Sequence, residues 1–118
     1  MTPTTWLRIE SAAIALASGV LFVFSDASLW WGAAWLAPDL AAAGYLAGPR
    51  VGAACYNAVH TYAAPVALAA FGLAVGAPLA TALAWLWANH IAVDRALGYG
   101  LKHTTGFNDT HLCRIGRG

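Results

Sequence analysis

The chain is poor in charge. Charged side chains make up 9% of its 118 residues, six basic and five acidic, for a formal net charge of +1. A soluble domain carries about a quarter charged residues, so the polar surface such a domain turns to water is missing here. No basic cluster with interleaved aromatics is present, and with it goes the electrostatic footprint of a nucleic-acid-binding protein. Cysteine is scarce as well. Cys55 and Cys113 form neither a CxxC nor a zinc-ribbon spacing, which excludes a disulfide scaffold and a thiolate zinc site. Cys55 lies in an apolar run and reads as a small packing residue. No internal repeat is evident.

What is abundant is apolar: 60% of the residues. A membrane crossing takes ~20 apolar residues, and four stretches qualify, at about 6–24, 29–46, 51–75 and 78–97. Between them, 25–28, 48–50 and 76–78 carry turn and helix-start chemistry: Ser25, Asp26 and Ser28 as caps, and Pro49 and Pro78 placed to open helices. Connections this short make neighbouring helices antiparallel. The expectation is one all-α domain over 1–118, a polytopic membrane protein with four transmembrane helices in an up-down bundle. Residues 98–118 form a structured tail. Arg8 and the apolar stretch from Ala12 to Phe24 imitate a signal peptide, but no small-x-small cleavage site follows and Glu10 interrupts the start, so the segment reads as a retained helix.

Positive charge sets the orientation. Arg8, Arg50, Arg95, Lys102, Arg114 and Arg117 all fall on one side of this arrangement. That predicts cytoplasmic termini and a multi-pass protein of the bacterial inner membrane. Gly44 with Gly48, and Gly72 with Gly76, have the four-residue spacing that lets helix backbones approach in lipid. Pro65 removes a backbone hydrogen bond inside the third stretch and predicts a kink near His60.

The polar residues inside these stretches line up by depth. At ~1.5 Å per residue, Glu10, Asp39, Asn57, His60, His90 and Asp94 all lie in the cytoplasmic half, and the other half holds only Ser18 and Thr81. His90 and Asp94 are four apart and share a helix face, as do Asn57 and His60 at three apart. Such groups are costly in a bilayer unless paired or used. Two imidazoles with carboxylates from facing helices form the donor set of a divalent metal, zinc or iron. The candidate ligands are therefore Asp39, Asn57, His60, His90 and Asp94. Glu10, or Asp109 and His111 from the tail, are the candidate acids and bases on a bound water. The bland alternative is a metal-free polar network that fixes helix register.

Several stretches together resemble a family of small bacterial membrane proteins catalogued as domain of unknown function 4260: 36–40, 44–50, 56–62, 90–95, 98–102 and 105–112. The resemblance covers nearly the whole chain and implies a four-helix integral membrane protein without an assigned activity. A second resemblance, resting on His90, Asp94, Tyr99 and Gly100, is to membrane-bound metal-dependent hydrolases related to the LexA-binding inner-membrane protein. Three functional expectations follow. The first is a metal-dependent hydrolase acting on a lipidic or amphipathic substrate at the cytoplasmic leaflet. The second is an ion-, proton- or solute-binding transport module completed by homo-oligomerisation. The third is a haem protein using His60 and His90.

Overall fold

The structure, a computed structural model, describes residues 1–108 and 110–112. Asp109 and residues 113–118, and with them the expectations placed on Asp109, Cys113, Arg114 and Arg117, lie outside the described residues. The described residues form four α-helices, α1 (Pro3–Val23), α2 (Pro49–Val59), α3 (Ala63–Val75) and α4 (Pro78–Leu97), and one 3₁₀ helix (Leu29–Ala47), with no strand among them. Proline opens α1, α2 and α4 at the first helical turn, where its missing N–H has no partner to lose. Gly76 and Gly98 close α3 and α4 in the left-handed conformation.

The second apolar stretch is the largest departure from expectation. It is helical over 29–47 but three residues per turn throughout. At about 2.0 Å per residue it is about 38 Å long, and residues three apart eclipse. Gly32, Trp35, Pro38, Ala41 and Gly44 accordingly form one half-buried stripe, while Leu36, Leu40 and Leu46 point outward. The expected glycine pairs split because the second glycine of each lies at a helix end. Gly44 meets Cys55 on α2, and Gly72 meets Thr81 on α4, each at a distance that a methyl group would make too short. Gly48 and Gly76 have nothing within 4 Å and instead take positive φ at turns.

The third stretch breaks rather than bends. Residues 60–62 leave the helix between α2 and α3, because Pro65 has no N–H for the Thr61 carbonyl and its ring crowds that oxygen. The break frees carbonyls, and side chains of α4 take them. Trp87 Nε1 donates to Val59 O at 2.7 Å and Arg95 Nη2 to His60 O at 3.3 Å. The Thr61 hydroxyl accepts from the Ala63 N–H at 3.1 Å. The kink expected near His60 is thus a full interruption, and it leaves His60 on irregular backbone pinned to α4.

Helix α4 is the hub. It packs against α1, α3 and the 3₁₀ helix, and α2 packs on the 3₁₀ helix. His90, Ile91 and Ala92 are almost wholly buried. Asn89 ties three elements together: it donates to Ala15 O on α1 at 2.7 Å and accepts from Trp35 Nε1 at 2.9 Å. Two segments, Pro3–Val23 and Pro49–Val75, are long and apolar enough to cross a membrane. The outer faces are apolar beyond them too: Phe24, Trp30, Leu40 and Leu46 are each more than two-thirds exposed.

Candidate metal centre

Four of the five predicted ligands converge. His60 Nε2 and His90 Nε2 are 3.2 Å apart. Asp39 Oδ1 lies 3.4 Å from the first and 3.2 Å from the second. Asp94 Oδ2 lies 3.6 and 3.3 Å away from them. All four donor atoms fall within 4.8 Å of one another. Each residue comes from a different structural circumstance: Asp39 from the 3₁₀ helix just after Pro38, His60 from the break after α2, and His90 with Asp94 from successive turns of α4.

The His60 tautomer can be read from the backbone. His60 Nδ1 lies 2.8 Å from Tyr56 O, so this nitrogen carries the proton and Nε2 presents a lone pair. The ring is locked by parallel stacking on Tyr56, centroids 3.7 Å apart. His90 Nδ1 is buried and has no partner at strict hydrogen-bond geometry. The Trp35 main chain is nonetheless near this ring, and Pro38 denies the Trp35 carbonyl its in-helix donor. With its proton on Nδ1, His90 would turn a second lone pair, on Nε2, toward the same point. The Trp35 ring packs against His90 at 4.5 Å.

Two lone pairs and two carboxylates facing one point repel unless a cation sits among them. Protonating one imidazole on Nε2 supplies a single hydrogen for three nearby acceptors. Protonating both sets two N–H groups against each other at 3.2 Å. A divalent ion satisfies all four at once. For zinc bonds of about 2.0–2.2 Å, tetrahedral ligand atoms lie about 3.3–3.6 Å apart, and the five imidazole contacts run from 3.2 to 3.6 Å. Histidines oriented by backbone carbonyls through their other nitrogen are what metal sites use. The same spacing speaks against haem between His60 and His90, because 3.2 Å leaves no room for a porphyrin.

The remaining candidates stand elsewhere. Asn57 is not turned to the cluster: its amide donates to Lys102 O at 2.8 Å and accepts from Lys102 N at 2.7 Å, so it clamps the tail. Glu10 is exposed on α1, outside the ligating group. His111 accepts the Leu101 N–H on Nδ1 at 2.8 Å while its own N–H donates to Leu101 O at 2.9 Å. These bonds and a single antiparallel bridge between Lys102 and Thr110 fold the tail back on itself. Arg95 pairs with Tyr62, its guanidinium 4.6 Å from the ring centroid, and leaves Asp94 to the histidines.

The tail roofs the site. Tyr99 and Phe107 line a cavity of about 360 Å³ together with Asp39, Ala42, Tyr56 and Asp94. Asp39 is half exposed and marks its open side. Tyr56 and Asp94 share the wall of this cavity. Sequence reasoning passed over Lys102, which is almost wholly buried with its Nζ 3.9 Å from the Phe107 ring centroid and 4.6 Å from that of Tyr56. Burial pushes its pKa down, against the pull of Asp94 and Asp39. The available signal was its place between Tyr99-Gly100 and a run of polar tail residues, which marks a chain folding back rather than trailing into water.

A family model described as a domain of unknown function (DUF4260) matches residues 4–115. No curated protein and no solved structure matches.

Proposed function

This chain belongs to the family described as a domain of unknown function (DUF4260), and we propose that it is a membrane-embedded metal protein. Asp39, His60, His90 and Asp94 hold zinc or iron, and the centre hydrolyses a lipidic or amphipathic substrate at the cytoplasmic leaflet of the bacterial inner membrane. The observation that carries this reading is the convergence of two imidazole nitrogens and two carboxylate oxygens within 4.8 Å of one another, an arrangement that a bound cation would stabilise. A bound divalent ion would supply the Lewis acidity and the lowered water pKa that hydrolysis needs. The chain's own part is to hold the ligands. It also keeps the site between an aromatic roof and an apolar wall. Support for a substrate drawn from the bilayer comes from the apolar outer faces and the cavity whose open side is marked by Asp39. In this reading all four apolar stretches lie in the bilayer, with Arg8, Arg50, Arg95 and Lys102 on the cytoplasmic side. Arg8, donating to Ala96 O at 2.8 Å, joins the start of α1 to the end of α4 there.

The test is metal analysis of detergent-purified protein beside a His90→Ala/Asp94→Ala double variant. The expected result is about one equivalent of zinc or iron in the wild type and loss of at least nine-tenths of it in the variant. Equal metal in both, or none in the wild type after loading, overturns the reading.

A further inference from the structure

The apolar wall beside the metal position encloses a second cavity, of about 320 Å³. The fold builds it from residues next to the ligands. Pro38 precedes Asp39 on the 3₁₀ helix, Val59 precedes His60 at the break, and Leu86 and Trp87 stand one turn before His90 on α4. Trp35 belongs to both places: it lines the cavity and packs its ring on His90 at 4.5 Å. Ala34 and Ala37 leave the space. Three residues per turn put positions 34 and 37 on one side of the 3₁₀ helix, and neither carries more than a methyl group there.

These walls offer little to a polar guest. The indole N–H of Trp35 is spent on Asn89 Oδ1 at 2.9 Å, and that of Trp87 on Val59 O at 2.7 Å. The second bond also occupies a carbonyl that the break sets free. A buried water needs about two to four polar partners, and an apolar cavity takes hydrocarbon instead. A methylene group fills about the volume of one water in the liquid, about 30 Å³, which gives room for roughly ten. Ala37 is exposed and marks the edge at which the cavity meets the outer apolar face, beside exposed Leu36 and Leu40. In a bilayer that edge meets lipid chains.

Resting on the lipid-hydrolase reading, we propose that this cavity is the acyl-chain subsite of the metal centre. It seats roughly ten carbons of one acyl chain of a membrane lipid, those nearest the headgroup, with the carbonyl end of the chain at the metal position. Ala34 and Leu68, on opposite walls, set the length of chain it accepts.

The experiment uses cobalt-loaded full-length protein in a sterol-type detergent, whose rigid body does not imitate an alkyl chain. Cobalt content is measured first, so that failure of the metal site is recognised separately. Acetohydroxamic, decanohydroxamic and tetradecanohydroxamic acids, which grip a metal by the head, are then titrated against the visible cobalt spectrum. Partitioning into the micelle is the same for every variant, so affinities are compared between proteins at each chain length. Ala34→Phe is expected to keep one equivalent of cobalt and the wild-type affinity for acetohydroxamic acid, but to bind decanohydroxamic acid at least ten-fold more weakly. Leu68→Ala deepens the cavity and is expected to bind tetradecanohydroxamic acid about three-fold more tightly than the wild type, with acetohydroxamic acid unchanged. If Ala34→Phe does not load cobalt, Leu68→Ala decides. Wild-type affinities at every chain length in the loaded variant, or an equal loss of short and long ligands, overturn the subsite and leave the metal reading standing. Absence of cobalt from the wild type overturns both readings.

Discussion

At the scale of single residues, function here depends on where protons are not. His60 gives its Nδ1 proton to Tyr56 O and points its lone pair inward. His111 in the tail works by the same logic. Its Nδ1 accepts the Leu101 N–H, and burial, reinforced by Arg95, lowers its pKa below the ordinary value. The folded tail therefore resists a proton that the released tail takes up. Its contribution is complete above about pH 6.5 and is lost as the pH falls below that value. Amide protection of residues 101–108, corrected for intrinsic exchange, is expected to decline as the pH falls below about 6.5. In His111→Asn the decline should flatten. A wild-type profile without slope would remove His111 from this role.

At the scale of elements, small residues decide which helices meet. Gly72 lets α3 approach α4 so closely that an added Cβ would stand 2.8 Å from the Thr81 backbone nitrogen. Backbone cannot step aside as a flexible side chain can. Gly72→Ala is thus expected to destabilise by about 1–3 kcal/mol, read as a lower thermal midpoint in detergent. Gly32→Ala, with nothing within 4 Å, should leave it unchanged or slightly raised. Equal midpoints for both variants would mean that α3 and α4 are not packed this way. The end points of α4 are legible in the sequence, since Pro78 opens it and Gly98 closes it. The 3₁₀ winding of 29–47 is not, because alanine, glycine and tryptophan carry no local signal that separates three residues per turn from 3.6. Its period of three nevertheless determines which face Asp39 occupies.

For the whole molecule, the apolar surface is the governing fact. A soluble monomer rarely exposes a contiguous apolar patch above a few hundred Å², and here large apolar side chains are exposed along every helix. The chain is expected to stay in the membrane pellet after alkaline carbonate washing and to need detergent for release. Release by carbonate alone would point to a peripheral protein and remove the lipid-facing side of the proposed site. Two segments qualify as spans, Pro3–Val23 and Pro49–Val75, and the second carries Asn57 and His60. Helix α4 carries Asn89, His90, Asp94 and Arg95, and other helices hide those groups.

The amino-acid order alone determined the all-α class of the molecule and the positions of its breaks, because hydrophobic run length and proline placement act locally. It also supplied the residue types of the cluster. Which of them meet was decided in three dimensions. Asn57 and His60 are three apart on the chain, yet one clamps the tail and the other faces the metal position. The break at 60–62 rotates His60 away from the helical register that their spacing implies. Lys102 enters the site only because the tail turns back over it, a long-range event set by backbone pairing and aromatic packing that no spacing along the chain encodes.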